Sequence, residues 1–207
     1  HLEGTGLCME NDRILPVEIG TLKVMSVGFM LEHADDAVIW RGPMKISVIQ
    51  QMLNDVAWGE LDCLVVDCPP GTGDEPLSIC QMLGDADGAV IVTTPQQVAA
   101  SDVAKSINFC RQLKFPIVGL IENMSGFVCP HCGEVTDIFA SGGGEALASR
   151  YDIPFLGKIP LDPRVCRNSD DGVPFIRHSA ATPAAVAFNA ILQQLQLQMT
   201  RSEGTKS

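Results

Sequence analysis

The sequence has 207 residues, enough for one large domain with its own hydrophobic core. Hydrophobic residues make up 46% of the chain and the mean hydropathy is +0.18, which excludes an intrinsically disordered protein. The formal net charge of −11 argues against nucleic acids and anionic membranes as partners, because both are negatively charged. The sequence contains neither an apolar run of membrane-spanning length nor a secretory signal pattern, so we expect a cytoplasmic protein.

Predicted strands and helices alternate along most of the chain. In chain order, the apolar pattern predicts a strand at Leu22–Phe29, a helix over residues 43–57, strands over 61–66 and 88–92, a helix over 98–113, a strand over 117–121, a helix over 143–151, a strand over 155–159 and a helix over 182–198. Nearly continuous apolar strands are typical of a sheet covered on both faces, and their alternation with helices predicts a mostly parallel sheet. The polar residues 200–207 are predicted to form a disordered tail.

An aspartate at the end of a predicted buried strand is the first candidate functional residue. Asp67 follows the predicted strand over residues 61–66 and begins the segment Asp-Cys-Pro-Pro-Gly-Thr-Gly-Asp. Ligands of open α/β sheets bind at the carboxyl ends of the strands, so Asp67 is suited to a water-mediated Mg²⁺ contact and the amide of Gly71 to a terminal phosphate. An ordinary turn, with Asp74 as the N-cap of the next helix, explains the same residues equally well.

Of the eight cysteines, only Cys129 and Cys132 have the spacing of metal ligands. Cys63, Cys80 and Cys110 are predicted to be buried, reduced thiols in a reducing compartment. Two thiolates can bind one metal, but a tetrahedral site or a cubane cluster needs four ligands. Two copies of the chain meeting at a two-fold axis would supply them, so the ligand count predicts a homodimer. A redox dithiol and an incidental pair are the alternatives.

Two other strand ends carry weaker candidates for recognition of a nucleotide base. Asn123 follows the predicted strand over residues 117–121, and Pro160, Leu161 and Asp162 follow the strand over 155–159. An asparagine carboxamide can pair with the edge of adenine, and a proline-fixed loop can lie against the face of the base. An asparagine at a strand end also commonly forms a turn, so these residues do not decide the function by themselves.

Together these segments resemble the Mrp/Nbp35/ApbC family of P-loop ATPases, which are scaffolds or carriers for iron–sulfur clusters. The motifs follow one another in the family's order over about residues 20–195: residues 24–29, 38–44, Asp67–Asp74, Thr93–Gln96, Glu122–Gly126, Cys129–Cys132 and Pro160–Pro163. The cysteine pair distinguishes this family from the related MinD and ParA ATPases. The resemblance implies a three-layer α/β sandwich of the SIMIBI class, P-loop NTPase-like, with a mostly parallel sheet.

The resemblance also implies the organisation and the first site residues. Residues 1–199 would form a single nucleotide-binding domain that carries a CxxC metal loop at residues 126–137. Asp67 would be the Walker B-type acid that acts on Mg²⁺, and Gly71 would sense the γ-phosphate of ATP.

The remaining roles follow from the same resemblance. Asn123 would hold the adenine of ATP or ADP together with the loop of Pro160, Leu161 and Asp162. Cys129 and Cys132 would share one [4Fe–4S] cluster between two protomers, and the cluster would be transferred to apo-proteins.

The family's Walker A loop, Lys-Gly-Gly-Val-Gly-Lys-Ser/Thr, is not in this sequence, which begins at His1. We expect the first strand and the P-loop to precede His1 in the full protein, and ATP hydrolysis only if they do. The alternative is a natural short variant that keeps the cluster site and loses hydrolysis. The glycine-rich segment Ser141–Glu145 has no lysine and is predicted to shape a turn into the next helix.

Two other functions stay open. The first is a non-catalytic dimer in which Zn²⁺ in a four-cysteine site acts as a structural bridge. The second is a positioning ATPase like MinD or ParA, which the absence of a basic amphipathic helix at the C-terminus and the net charge of −11 disfavour.

Overall fold

The computed structural model describes residues 6–31 and 42–203, and the chain divides into two units, His1–Leu83 and Gly84–Ser207. The first unit consists of short hairpins and helices: β1 (Cys8–Glu10), β2 (Arg13–Leu15), β3 (Val17–Ile19), β4 (Leu22–Val24), a 3₁₀ helix (Val27–Met30), α1 (Gly42–Asn54) and α2 (Asp74–Met82). β1 pairs with β2 and β3 with β4, both antiparallel. The strand predicted at Leu22–Phe29 ends at Val24, because Ser26 caps the 3₁₀ helix through a 3.1 Å bond from Gly28 N–H.

The predicted strand over residues 61–66 is wrong. This segment has no regular secondary structure, and every residue from 59 to 74 is exposed, with Val65 at 84%. An apolar run becomes a strand only where a neighbouring strand bonds to its N–H and C=O groups. In the described ranges, 6–31 and 42–203, no strand pairs with residues 61–66. The prediction of a buried Cys63 thiol fails for the same reason, since Cys63 is exposed.

The second unit contains the predicted alternation of strands and helices. Its elements are β5 (Ala89–Thr93), α3 (Gln97–Gln112), β6 (Ile117–Val128), β7 (Val135–Thr136), α4 (Gly143–Arg150), β8 (Phe155–Leu161), α5 (Pro163–Asp170), α6 (Phe175–His178) and α7 (Pro183–Glu203). β6 lies between β5 and β8 and is parallel to both, whereas β7 pairs antiparallel with the far end of β6. The predicted parallel strands over residues 88–92, 117–121 and 155–159 are therefore confirmed.

Helices cover both faces of this sheet. On one face, α3 and α4 pack around Leu120, Ile107 and Leu147; on the other, α7 packs around Leu156 and Ile191. Because side chains alternate along a strand, successive residues of β6 and β8 contribute to opposite clusters. The second unit is thus a three-layer α/β sandwich, as predicted.

The last helix, α7, begins after a capping hydroxyl and extends further than the sequence predicted. The Thr182 hydroxyl accepts a 3.2 Å bond from Ala185 N–H, as an N-cap side chain does. The disordered tail predicted over residues 200–207 is wrong over 200–203, because the helix continues to Glu203; residues 204–207 lie outside the described residues. Among the helices that the structure describes, none is long and apolar enough to cross a membrane.

Candidate functional site

The two cysteines with ligand spacing lie in the turn of a β-hairpin. β6 and β7 pair at Phe127 with Thr136 and at Val128 with Val135, and the turn between them contains Cys129–Cys132. The turn is closed by two backbone bonds of 2.9 Å, from Cys129 N–H to the carbonyl of Glu134 and from Gly133 N–H to the carbonyl of Cys129. The hairpin thereby holds both cysteines at its tip, where Cys129 is half-buried and Cys132 exposed.

The turn directs hydrogen-bond donors at the sulfur of Cys129. The backbone N–H groups of Cys132 and His131 and the thiol of Cys132 bond to this sulfur, and together they lower the pKa of the Cys129 thiol. The thiolate is the form that binds metal ions. Two sulfurs in one tight turn, one of them with a lowered pKa, are a donor set that suits iron in a cluster or zinc.

The cysteine pair supplies only half of a metal coordination sphere. In residues 6–31 and 42–203, no group of three or more Cys, His, Asp and Glu side chains is arranged to hold a metal ion. A tetrahedral metal ion bound to Cys129 and Cys132 would therefore need two further ligands from outside this described set.

A buried carboxylate that sequence reasoning missed lies where the hairpin leaves the sheet. Glu122 on β6 is 0% exposed, and its neighbours across the sheet are Thr93 on β5 and Lys158 on β8. Its Oε1 accepts bonds from the Ser125 hydroxyl and, over 3.1 Å, from Gly142 N–H. Its Oε2 accepts a 2.5 Å bond from Gly144 N–H at the start of α4.

Hydrogen bonds keep this buried carboxylate ionised. Burial alone would raise the pKa of Glu122, but the bonds from Ser125, Gly144 and Gly142, assisted by the positive charge of Lys158, lower it below its ordinary value. The negative charge also lies at the N-terminus of α4, where the helix dipole favours it. The glycine-rich segment thus turns into α4, as predicted, and is bonded there to Glu122.

The candidate base-binding residues lie side by side. In the parallel pairing of β6 with β8, Asn123 is opposite Ile159 and Phe127 is opposite Leu161. Residues 124–126 therefore bulge out of β6 beside Pro160. The carboxamide Oδ1 of Asn123 accepts a 2.9 Å bond from Met124 N–H, which uses one lone pair of that oxygen.

The carboxylate of Asp162 is engaged within its own loop. Its Oδ1 accepts 2.9 Å bonds from the backbone N–H and the Nε of Arg164, and its Oδ2 forms a 2.7 Å ion pair with the same guanidinium. These bonds lower the pKa of Asp162 and make it the N-cap of α5. In this arrangement, Asp162 shapes the loop that presents the half-buried Pro160 and Leu161.

The candidate phosphate-binding residues lie in the first unit. Asp67 and Gly71 belong to the exposed segment without regular structure, and Gly71 has a φ of 99°. The N-cap of α2 is Gly73, so Asp74 is the first helical residue and not the N-cap of the alternative explanation. Glu75 in the same turn pairs with Lys45 of α1 over 2.6 Å, which lowers the pKa of Glu75.

Comparison with known families identifies the chain. A family model described as "ParA: NUBPL iron-transfer P-loop NTPase" matches residues 1–196. The chain belongs to this family. The resemblance to Mrp/Nbp35/ApbC ATPases is thereby confirmed.

Two curated relatives of this family member are named as cytosolic Fe-S cluster assembly factors. The NUBP2 homolog of Nematostella vectensis is 49% identical over 200 residues, which are 94% of this chain and 74% of that protein. NUBP2 of Bos taurus is 49% identical over 177 residues, or 84% and 65% of the two chains. The chain thus spans about two thirds to three quarters of the length of these relatives.

Solved structures confirm the fold class. A nucleotide-binding protein from Archaeoglobus fulgidus, described in complex with ADP and with cobalt, has a TM-score of 0.69 and 40% identity, covering 83% of this chain and 66% of that one. The cell division ATPase MinD of Pyrococcus furiosus has a TM-score of 0.53 and 20% identity, covering 75% and 58%. The likeness to MinD concerns the fold alone.

Proposed function

We propose that this protein is a cytosolic iron–sulfur cluster assembly factor that holds a [4Fe–4S] cluster and transfers it to apo-proteins. The observation that carries the proposal is the closed hairpin turn that holds Cys129 and Cys132 together at its tip. The membership of the iron-transfer family and the names of the two curated relatives support the same role.

The cluster would lie between two copies of the chain. A cubane cluster takes four thiolates and the hairpin offers two, so two hairpins related by a two-fold axis would complete the site. Exposed apolar side chains on and after β7 support this arrangement, because Val135, Ile138 and Phe139 are 62%, 50% and 36% exposed. Such side chains are typical of a surface that becomes covered.

Nucleotide would bind beside the middle of β6, at Asn123. Asn123 would pair with the edge of adenine, and Pro160 would lie against its face, since the sheet places these residues next to each other. The roles of Asp67 at Mg²⁺ and of Gly71 at the γ-phosphate rest on the sequence motif. By the same resemblance, nucleotide binding would reposition Asp67–Asp74 and so alter the exposure of the cluster, with ATP hydrolysis as the gate if the P-loop precedes His1.

Zinc is the second candidate for the same site. Two thiolates suit Zn²⁺ as well as iron, and a four-cysteine zinc site would bridge the dimer without any transfer function. The two functions differ in what the protein binds when iron and sulfide are supplied without oxygen.

Anaerobic reconstitution of the full chain with ferrous iron and sulfide tests the proposal. We expect a broad visible absorbance that is lost on oxidation, with about one cluster for every two chains, and a dimer in light scattering. Cys129→Ser should abolish the absorbance and the dimer, whereas Cys166→Ser, at an exposed cysteine on α5, should change neither.

Two outcomes would contradict the proposal, and they differ in what the protein binds. A full complement of iron on the Cys129→Ser protein would refute the ligand assignment. A wild-type chain that takes up Zn²⁺ at the pair but no iron and sulfide would favour the structural bridge.

A further inference from the structure

One carboxylate fastens both ends of the segment that carries the cysteines. β6 continues past Glu122 to Val128 and into the hairpin with β7, and the chain then returns to the start of α4. Ser125, at the beginning of this excursion, and Gly142 and Gly144, at its end, all bond to the Glu122 carboxylate. The residues between them include Cys129 and Cys132.

The carboxylate of Glu122 is buried and ionised, so the hydrogen bonds that it accepts are strong. Hydrogen bonds to an ionised acceptor are about twice as strong as neutral ones, and at 0% exposure water does not compete for them. The bond from Ser125 contributes nothing to capping α4, because Ser125 lies on the hairpin side. Glu122 therefore does more than satisfy the first N–H groups of a helix.

A short and stiff part of the chain connects the residues bonded to Glu122 with the sulfurs of the cysteine pair. Only residues 126–128 separate Ser125 from Cys129, and two of them pair with β7. The first, Gly126, is buried with a φ of 76°, and a Cβ built on it would lie 3.1 Å from Val135 Cγ1 on β7. Little freedom is left for the hairpin to change its angle once its base is fixed.

We propose that Glu122 is a positioning residue for metal binding: it fixes the base of the hairpin so that Cys129 and Cys132 are held ready for their metal. This inference rests on the proposed function, because it assumes that the cysteine pair binds metal. A preorganised pair binds more tightly, since the cost of ordering the ligands is met by folding. Residues that support metal ligands in this indirect way change affinity by about 10–100-fold.

Anaerobic titration of the full chain with Co²⁺ alone tests the inference, because thiolate-to-cobalt charge transfer gives a direct optical signal. Ser125→Ala removes one bond without disturbing the buried charge and should weaken Co²⁺ binding about tenfold. Ser125→Thr restores a hydroxyl and should return the affinity to that of the wild type. Glu122→Gln should weaken binding further than Ser125→Ala.

Glu145→Gln is the matched control, because Glu145 is an exposed carboxylate on α4 that bonds only outside the hairpin base, to Lys158 over 2.8 Å. It should leave Co²⁺ affinity unchanged. Thermal unfolding of every variant separates positioning from stability. Ser125→Ala loses a bond to a charged group and should melt below Ser125→Thr. At a temperature where both variants are fully folded, their Co²⁺ affinities should still differ.

The outcomes of the Co²⁺ titration distinguish failure of the inference from failure of the proposed function. Ser125→Ala that binds Co²⁺ within about twofold of the wild type would overturn the inference, whether or not Glu122→Gln folds. An affinity that differs only at temperatures where Ser125→Ala is partly unfolded, or that Ser125→Thr does not restore, would also overturn it. A wild-type chain that binds no Co²⁺ would overturn the proposed function itself, and the inference with it.

Discussion

The substitution Gly143→Ala probes the close packing that brings the start of α4 to Glu122. Gly143 is the first residue of α4, and a Cβ built on it would overlap the carbonyl oxygen of Pro95 and lie 3.1 Å from its carbonyl carbon. Pro95 is buried at the end of β5, and the overlapping atom belongs to its backbone, so a side-chain rotation cannot relieve the overlap. The start of α4 must therefore move away from β5.

The size of the effect follows from opposing contributions. Overpacking of this kind costs about 1–3 kcal/mol. The displaced helix also weakens the bonds from Gly142 and Gly144 to Glu122, and bonds to a charged group contribute about 1.5–3 kcal/mol each. Alanine regains at most about 1 kcal/mol of helix propensity. We expect a net loss of about 2 kcal/mol, or about 4–8 °C in melting temperature for a chain of this length.

Far-UV circular dichroism during heating measures the loss, and hydrogen exchange at the amides of α4 locates it. Gly84→Ala is the control, because its Cβ would meet nothing within 4 Å. There alanine should stabilise slightly, by about 0.4–1 kcal/mol through the unfolded chain. If Gly143→Ala melts with the wild type or with Gly84→Ala, the argument that glycine is required at this contact is refuted.

Two further predictions concern titrating groups. Cys129 should react with iodoacetamide faster than Cys80, which is also half-buried, because neighbouring N–H groups lower the pKa of Cys129 whereas burial raises that of Cys80. Brief labelling followed by peptide mass spectrometry measures the order of reaction, and the reverse order would contradict the geometry of the turn. Arg164 lowers the pKa of Asp162. The contribution of this ion pair to the free energy of unfolding is therefore present above the ordinary aspartate pKa and is lost as the pH falls through the lowered value. The difference in urea midpoint between wild type and Asp162→Asn should therefore shrink from about pH 6 to about pH 3, and a constant difference would contradict this account.

The strands of the second unit were predictable because their apolar runs are paired in the molecule. The runs over residues 88–92, 117–121 and 155–159 became β5, β6 and β8. The run over residues 61–66 is equally apolar, but its residues are exposed and form no strand. Periodicity records which residues suit a strand, whereas the availability of a neighbouring edge is a property of the whole fold.

The candidate site was predictable where spacing or strand order defines it. The cysteine pair follows from its spacing, and the neighbourhood of Asn123 and Pro160 follows from the parallel order of β6 and β8. Glu122 was missed because its partners are an adjacent hydroxyl and backbone groups 20 and 22 residues away. The available signal was Gly142, an N-cap without a side chain, whose helix must take its capping acceptor from elsewhere in the chain.

The common anchor of the hairpin's two ends also bears on how the sheet tolerates changes in this segment. Since Ser125 and Gly142 meet at one carboxylate, the chain between them closes a loop whose ends are already together in the folded sheet. Lengthening such a loop costs little, because the closure entropy grows only with the logarithm of its length, by about 0.6 kcal/mol for each doubling. A loop of another length could therefore replace the cysteine hairpin if it kept the bonds of Ser125, Gly142 and Gly144 to Glu122. The pairing of β6 with β5, and with β8 as far as Asn123, would be unchanged.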